Sequence, residues 1–154
     1  MADHFTDDGI VLERALGFRI YRINQMFRTA MYRTFATLGL DVTPEQWIVL
    51  VRLWQEDALT QTELAEATLK DKATISRILD VMEREGLIAR RTDPDDARGR
   101  RIHATRKAMK LREKLTPLAR ELATNLEAGI PAADLECTRR VLLQLERNAR
   151  ALTE

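Results

Sequence analysis

Apolar residues recur at three- and four-residue steps along most of this chain. Leu12, Leu16, Ile20, Ile23, Phe27, Met31, Phe35 and Leu38 form the first stripe, with Arg14, Arg22, Arg28 and Arg33 between them. That spacing predicts an amphipathic helix over residues 10–38, stopped by Gly39, which suits the left-handed conformation after a helix end. At about 1.5 Å per residue it would approach 40 Å, longer than most small domains are wide, so its stripe needs a partner. Thr43-Pro44-Glu45-Gln46 starts a second helix: Thr43 can cap, Pro44 suits the first turn, and Gln46 can bond back to the cap. Trp47, Leu50, Val51 and Trp54 share one face of it, widened by Ile48 and Leu53. Thr60-Gln61-Thr62-Glu63 is another capping box, opening a short helix over residues 63–69. Asp71 can cap a further helix whose stripe is Ile75, Ile78, Leu79 and Met82, ended by Gly86.

The texture then changes. Residues 87–92 and 101–105 are short extended candidates around Asp93-Pro94-Asp95-Asp96-Ala97-Arg98-Gly99-Arg100, too rich in turn residues for a helix interior. This reads as a β-hairpin. Helical spacing resumes with Leu111, Leu115, Leu118, Leu122 and Leu126, where Pro117 is expected to kink the helix. Gly129-Ile130-Pro131 breaks it, and Leu135, Leu142, Leu145, Ala149 and Leu152 mark the last helix. The fold class is mainly α with a small β-hairpin wing: a winged helix-turn-helix core flanked by long N- and C-terminal helices.

Composition narrows the class. Of 154 residues, 45% are hydrophobic, 32% charged and only 5% aromatic, which fits one globular helical domain and disfavours sandwiches and barrels. No apolar run approaches the roughly 18 residues needed to span a bilayer, and the N-terminus lacks signal-peptide character, so a cytoplasmic chain away from membranes is expected. One cysteine, Cys137, and two histidines, His4 and His103, predict neither a disulfide framework nor a metal or other cofactor. Without GxSxG, a phosphate loop or HExxH, an enzyme is not expected. The formal charge is +1, but residues 70–114 hold fourteen basic and eight acidic residues. Such a segment suits nucleic acid.

Two short helices and a basic hairpin have a specific use. A recognition helix is anchored by one face while the other enters the roughly 12 Å major groove. With Ile75, Ile78, Leu79 and Met82 inward, Ala73, Arg77 and Asp80 point outward. Arg77 is the candidate base reader, since a guanidinium pairs with guanine O6 and N7. Lys72, Thr74 and Ser76 are placed for phosphates at the helix N-terminus. Arg98 and Arg100 flank Gly99 at the hairpin tip and suit a groove contact, with Asp96 near enough to hold Arg98. Asp93 and Asp95 read as turn chemistry and solubility.

The stretch from Leu40 to Thr105, above all TELAE, ISRILDVMEREGLI and DPDDARGRR, resembles the MarR family of bacterial transcriptional regulators. The resemblance covers nearly the whole chain, read as one domain over residues 1–154. It implies a homodimer joined through residues 10–39 and 106–154, with a double-stranded DNA-binding core at 40–105. It also implies a role for an Asp-x-Arg wing pattern, here Asp96 and Arg98. Ala97 departs from it where a second arginine is common, and His103 sits where an aliphatic strand residue is commoner.

The uncovered stripes call for a dimer independently of the resemblance, and a two-fold protein suits a palindromic site. The expected function is therefore a DNA-binding transcriptional regulator, a repressor released by a small effector. The resemblance suggests an aromatic or phenolic one, for which Phe18, Tyr21, Met31, Trp47 and Trp54 could line a cleft; plain core packing is the alternative for each. Other readings are a winged-helix protein-interaction module and a redox-responsive regulator using Cys137.

Overall fold

A computed structural model describes residues 5–6, 9–94, 96 and 99–152. A two-stranded antiparallel ribbon, β1 (Phe5–Thr6) and β2 (Gly9–Ile10), precedes a 3-10 turn at Leu12–Arg14 and helix α1 (Leu16–Ala36). Then follow α2 (Pro44–Gln55), β3 (Leu59–Thr60), α3 (Gln61–Thr68), α4 (Lys72–Arg84), β4 (Ile88–Thr92), β5 (Arg100–Ala104), α5 (Arg106–Glu127) and α6 (Ala132–Ala151).

Three features of these elements bear on the sequence pattern. The first helix starts at Leu16, because Ala15 is extended (φ −67°, ψ 120°) and offers no side chain to cap it. Leu12 and its neighbours form a separate 3-10 turn. Strand β3 is too short for any periodicity, yet it pairs with β5 and makes the sheet three-stranded, in the order β3-β5-β4. Helix α5 keeps Pro117 within it, and that residue is exposed.

The described residues fall into two compact units that divide after Ala119. The core belongs to the first. Phe35, Val49, Leu50, Leu64, Ile75, Leu79, Met82, Ile102 and Leu115 are fully buried, so every helix from α1 to α5 contributes to it. Each such side chain stabilises the fold by roughly 1.5–3 kcal/mol relative to exposure. In the second unit, α6 has no buried residue, and Val141, Leu142 and Leu143 are exposed. The N-terminal half of α1 likewise exposes Leu16, Ile20, Ile23 and Met26. No helix among the described residues is long and apolar enough to cross a membrane.

Candidate nucleic-acid interface

Helices α3 and α4 are set by caps that the chain carries locally. Thr60 Oγ1 accepts from Glu63 N–H (3.2 Å) while Glu63 Oε2 accepts from Thr60 N–H (2.6 Å), closing the predicted box. Those bonds hold the Glu63 carboxyl below its ordinary value. The turn between the helices passes through Leu69 in the left-handed region (φ 53°), with 83% of its surface exposed. Asp71 then caps α4, accepting from Thr74 N–H (2.8 Å) and from the Thr74 hydroxyl (2.7 Å), which lowers the Asp71 pKa. Ile75, Leu79 and Met82 pin one side of α4 in the core. Lys72, Ala73, Arg77 and Asp80 are exposed on the other, and Ser76 is half-buried. Thr74 is half-buried too, and its hydroxyl proton serves the cap rather than standing open for a phosphate.

The wing is tied down where its strands run into the turn. Asp93, expected to be a solubilising turn residue, is instead buried: Arg101 Nε donates to its Oδ2 at 2.5 Å. Arg101 Nη1 also donates to the Ala58 carbonyl (3.2 Å) beside β3. Asp93 N–H donates to Gly99 O (3.1 Å), and Gly99 N–H donates to Asp96 O (2.8 Å). A Cβ at Gly99 would stand 3.1 Å from Asp93 Cβ and 3.3 Å from Asp96 O, so a larger residue requires those neighbours to give by a few tenths of an ångström. Asp96 and Arg100 are exposed, and Arg100 Nη1 donates to Thr92 Oγ1 (3.1 Å). Arg98, Ala97 and Asp95 lie outside the described residues.

Two further bridges join strands to helices or loops. His103 Nδ1 lies 2.8 Å from Asp57 Oδ2, and Ala104 N–H donates to Asp57 Oδ1 (2.8 Å). Partial burial raises the Asp57 pKa, but the Ala104 and His103 bonds outweigh that and hold it below the usual Asp value. His103 thus takes a polar role while Ile102 supplies the strand's burial. On β4, Arg90 bonds both Asp80 and Glu83 of α4. Burial works against its charge, yet those carboxylates raise its pKa above the ordinary arginine value.

The expected effector residues fall into separate groups. Phe18 stacks on Tyr21 (centroids 6.4 Å apart), and Arg22 lies 5.9 Å over the Phe18 ring. Tyr21 is 57% exposed, whereas Met31 is core. Trp47 tilts against Phe35 (5.2 Å) and meets Trp54 edge-on (5.5 Å). The resemblance had suggested Phe18, Tyr21, Met31, Trp47 and Trp54 as the lining of one cleft. The ring contacts fall into two sets, Phe18–Tyr21 on α1 and Phe35–Trp47–Trp54 across α1 and α2. Phe35, absent from the sequence-based set, completes the inner group. Within it the Trp54 Nε1 donor is buried without a hydrogen-bond partner. A surface concavity of about 370 Å³ lies elsewhere in this unit, among Leu40, Val42, Glu85, Lys107 and Leu111. Cys137 is exposed on α6, 3.7 Å from Arg140 Nη2.

A helix anchored by one apolar face, exposing an arginine and small residues on the other beside a basic three-stranded wing, defines a winged helix-turn-helix DNA-binding protein. Residues 42–99 match the model of the MarR family. A probable transcriptional regulator from Pseudomonas aeruginosa is 30% identical, with TM-score 0.77 over 87% of this chain and 98% of that one. CouR from Rhodococcus jostii RHA1, in a crystal structure with p-coumaroyl-CoA, is 25% identical (TM-score 0.76, 88% of this chain and 94% of that one). The transcriptional repressor CouR bound to a 23-mer DNA duplex aligns at 22% identity (TM-score 0.77, again 88% and 94%), a likeness of fold. The chain belongs to the MarR family of transcriptional regulators.

Proposed function

We propose that this regulator is a homodimeric repressor that reads a palindromic operator and leaves it when a small aromatic compound binds. The observation that carries DNA reading is α4: Ile75, Leu79 and Met82 are buried on its inner face while Lys72, Ala73 and Arg77 stand exposed on the outer one. Arg77 reads a guanine; Lys72 and Ser76 hold phosphates, and Thr74 does so only by releasing Asp71. Asp96, Arg98 and Arg100 act at the wing, Arg98 in the minor groove. Residues 40–105 form the DNA-binding core, and residues 10–39 and 106–154 join two chains, which would cover the exposed apolar faces of α1 and α6.

Release is supported by the aromatic group on α1 and α2, where the unpartnered Trp54 N–H offers a donor to an aromatic or phenolic acid. Binding there must favour a lobe spacing unlike the DNA-bound one, since equal affinity for both would shift nothing. Tryptophan quenching by such acids should therefore weaken as operator is added, by the factor with which they weaken operator binding.

Gel shifts at several salt concentrations test DNA reading, on duplexes enriched by the wild type from a random library and on a random-sequence duplex. Arg77→Ala should cost about 1–3 kcal/mol on enriched duplexes only. Arg98→Ala should weaken both and lower the salt slope by about one. Equal losses on both duplexes in both variants would overturn this division of roles.

A further inference from the structure

The outer face of α4 carries an apparent fault for a DNA reader. Asp80 lies three residues after Arg77 and Glu83 three after that, so two exposed carboxylates continue the line of the base-reading arginine. A polyanion repels both. The residue that answers them comes from the wing. Arg90 Nη2 donates to Asp80 Oδ1 at 2.7 Å, Nη1 donates to Glu83 Oε2 at 2.5 Å, and Arg90 N–H donates to Glu83 Oε1 at 3.2 Å.

This differs from an ordinary surface pair, which holds one flexible side chain by one contact and contributes little. Here main chain and side chain of a single strand residue are both bound, and only 21% of the arginine side chain is exposed. A guanidinium spans two carboxylates at once because its donors form a rigid fork; an ammonium does not. Arg90 also stands at the middle of the β4–β5 ladder, opposite the fully buried Ile102. Ile88, two residues earlier, buries the base of the same strand, but apolar contact is non-directional. The fork supplies the direction.

We infer that Arg90 is a positioning residue for DNA recognition, locking the wing to the recognition helix through Asp80 and Glu83. The lock sets the span between Arg77 and the wing tip, so that both meet their grooves together. Asp80 and Glu83 are then parts of the reading head rather than misplaced charges. The inference rests on the proposed DNA reading.

The test exploits a conflict of sign. Generic electrostatics says that removing two acids from a DNA-facing surface tightens binding to every duplex. A positioning role says that Asp80→Asn with Glu83→Gln loosens binding to wild-type-enriched duplexes at least tenfold, while binding to a random-sequence duplex holds or rises. Arg90→Lys keeps the charge but not the fork, and should lower the enriched-to-random ratio by a similar factor. The amide pair retains hydrogen-bonding side chains, and a melting curve on each variant accompanies the gel shifts. Enriched duplexes bound as tightly by the amide variant as by wild type would overturn the lock while leaving the proposed function standing. A wild type that shifts no duplex would overturn that function itself.

Discussion

Helices α4 and α6 carry similar apolar stripes, and the folded chain treats them differently. Ile75, Leu79 and Met82 of α4 are wholly enclosed, whereas in the α6 stripe Leu142 keeps 42% of its surface exposed and Leu135 and Leu145 are only half-buried. The same contrast runs along α1, whose Met31 and Phe35 end is core while Leu16, Ile20 and Ile23 are open. Three- and four-residue spacing states that a face wants cover. It does not state whose cover. The winged unit satisfies its own stripes; those at the two ends of the chain stay open, the faces that the proposed dimer would cover.

Truncating both kinds of leucine breaks or confirms that contrast most sharply. Leu79→Ala should cost about 2–5 kcal/mol of stability in chemical denaturation. Leu142→Ala should cost far less in dilute protein and act instead on the concentration dependence of melting. Equal, concentration-independent losses would mean that α6 is core after all. Next in size is Ile20→Glu, which places a charge on the open end of α1. It should weaken self-association by about 2 kcal/mol or more, read by sedimentation equilibrium, with the winged unit still folded.

Smaller changes probe the winged unit alone. Thr60→Ala removes one half of the box that starts α3 and should cost about 1 kcal/mol in thermal or urea melts. Leu69→Gly should go the other way, stabilising by about 1 kcal/mol, because only glycine adopts the left-handed turn without strain. The smallest effect is pH-dependent. The folded Asp57 pKa is lowered, so the stability it contributes is complete above the unfolded value of about 4 and is lost as pH falls through the folded one. Asp57→Asn should therefore cost under about 1 kcal/mol at pH 7, since the carboxylate is half exposed, and progressively less in acid.

Legibility followed distance along the chain. Both capping boxes, the Asp71 cap, the inward stripe of α4 and the hairpin were readable because each rests on residues at most four apart or on turn chemistry. The Arg101–Asp93 bridge was not, nor was its hold on Ala58, 43 positions away. Asp93 in isolation is an ordinary turn acid; only the register that sets Arg101 opposite Arg91, beside the wing turn, makes it a buried anchor. The Arg90 fork, reaching ten residues back to Asp80, was missed for the same reason. The packing of Phe35 on Trp47 was not legible either, because helical spacing gives a face, not the height along it at which another helix crosses.

What the residues settle locally is therefore the kind of each element, where most begin and end, and which face seeks cover: these follow from backbone donors, turn geometry and apolar periodicity. What needs the folded chain is which charges meet. Strand β3 exists only as a partner for β5, Arg90 becomes a fork only when β4 lies along α4, and His103 finds Asp57 across 46 positions. Ion pairs and two-residue strands carry no period of their own, so only packing of the apolar core brings their members within bonding distance.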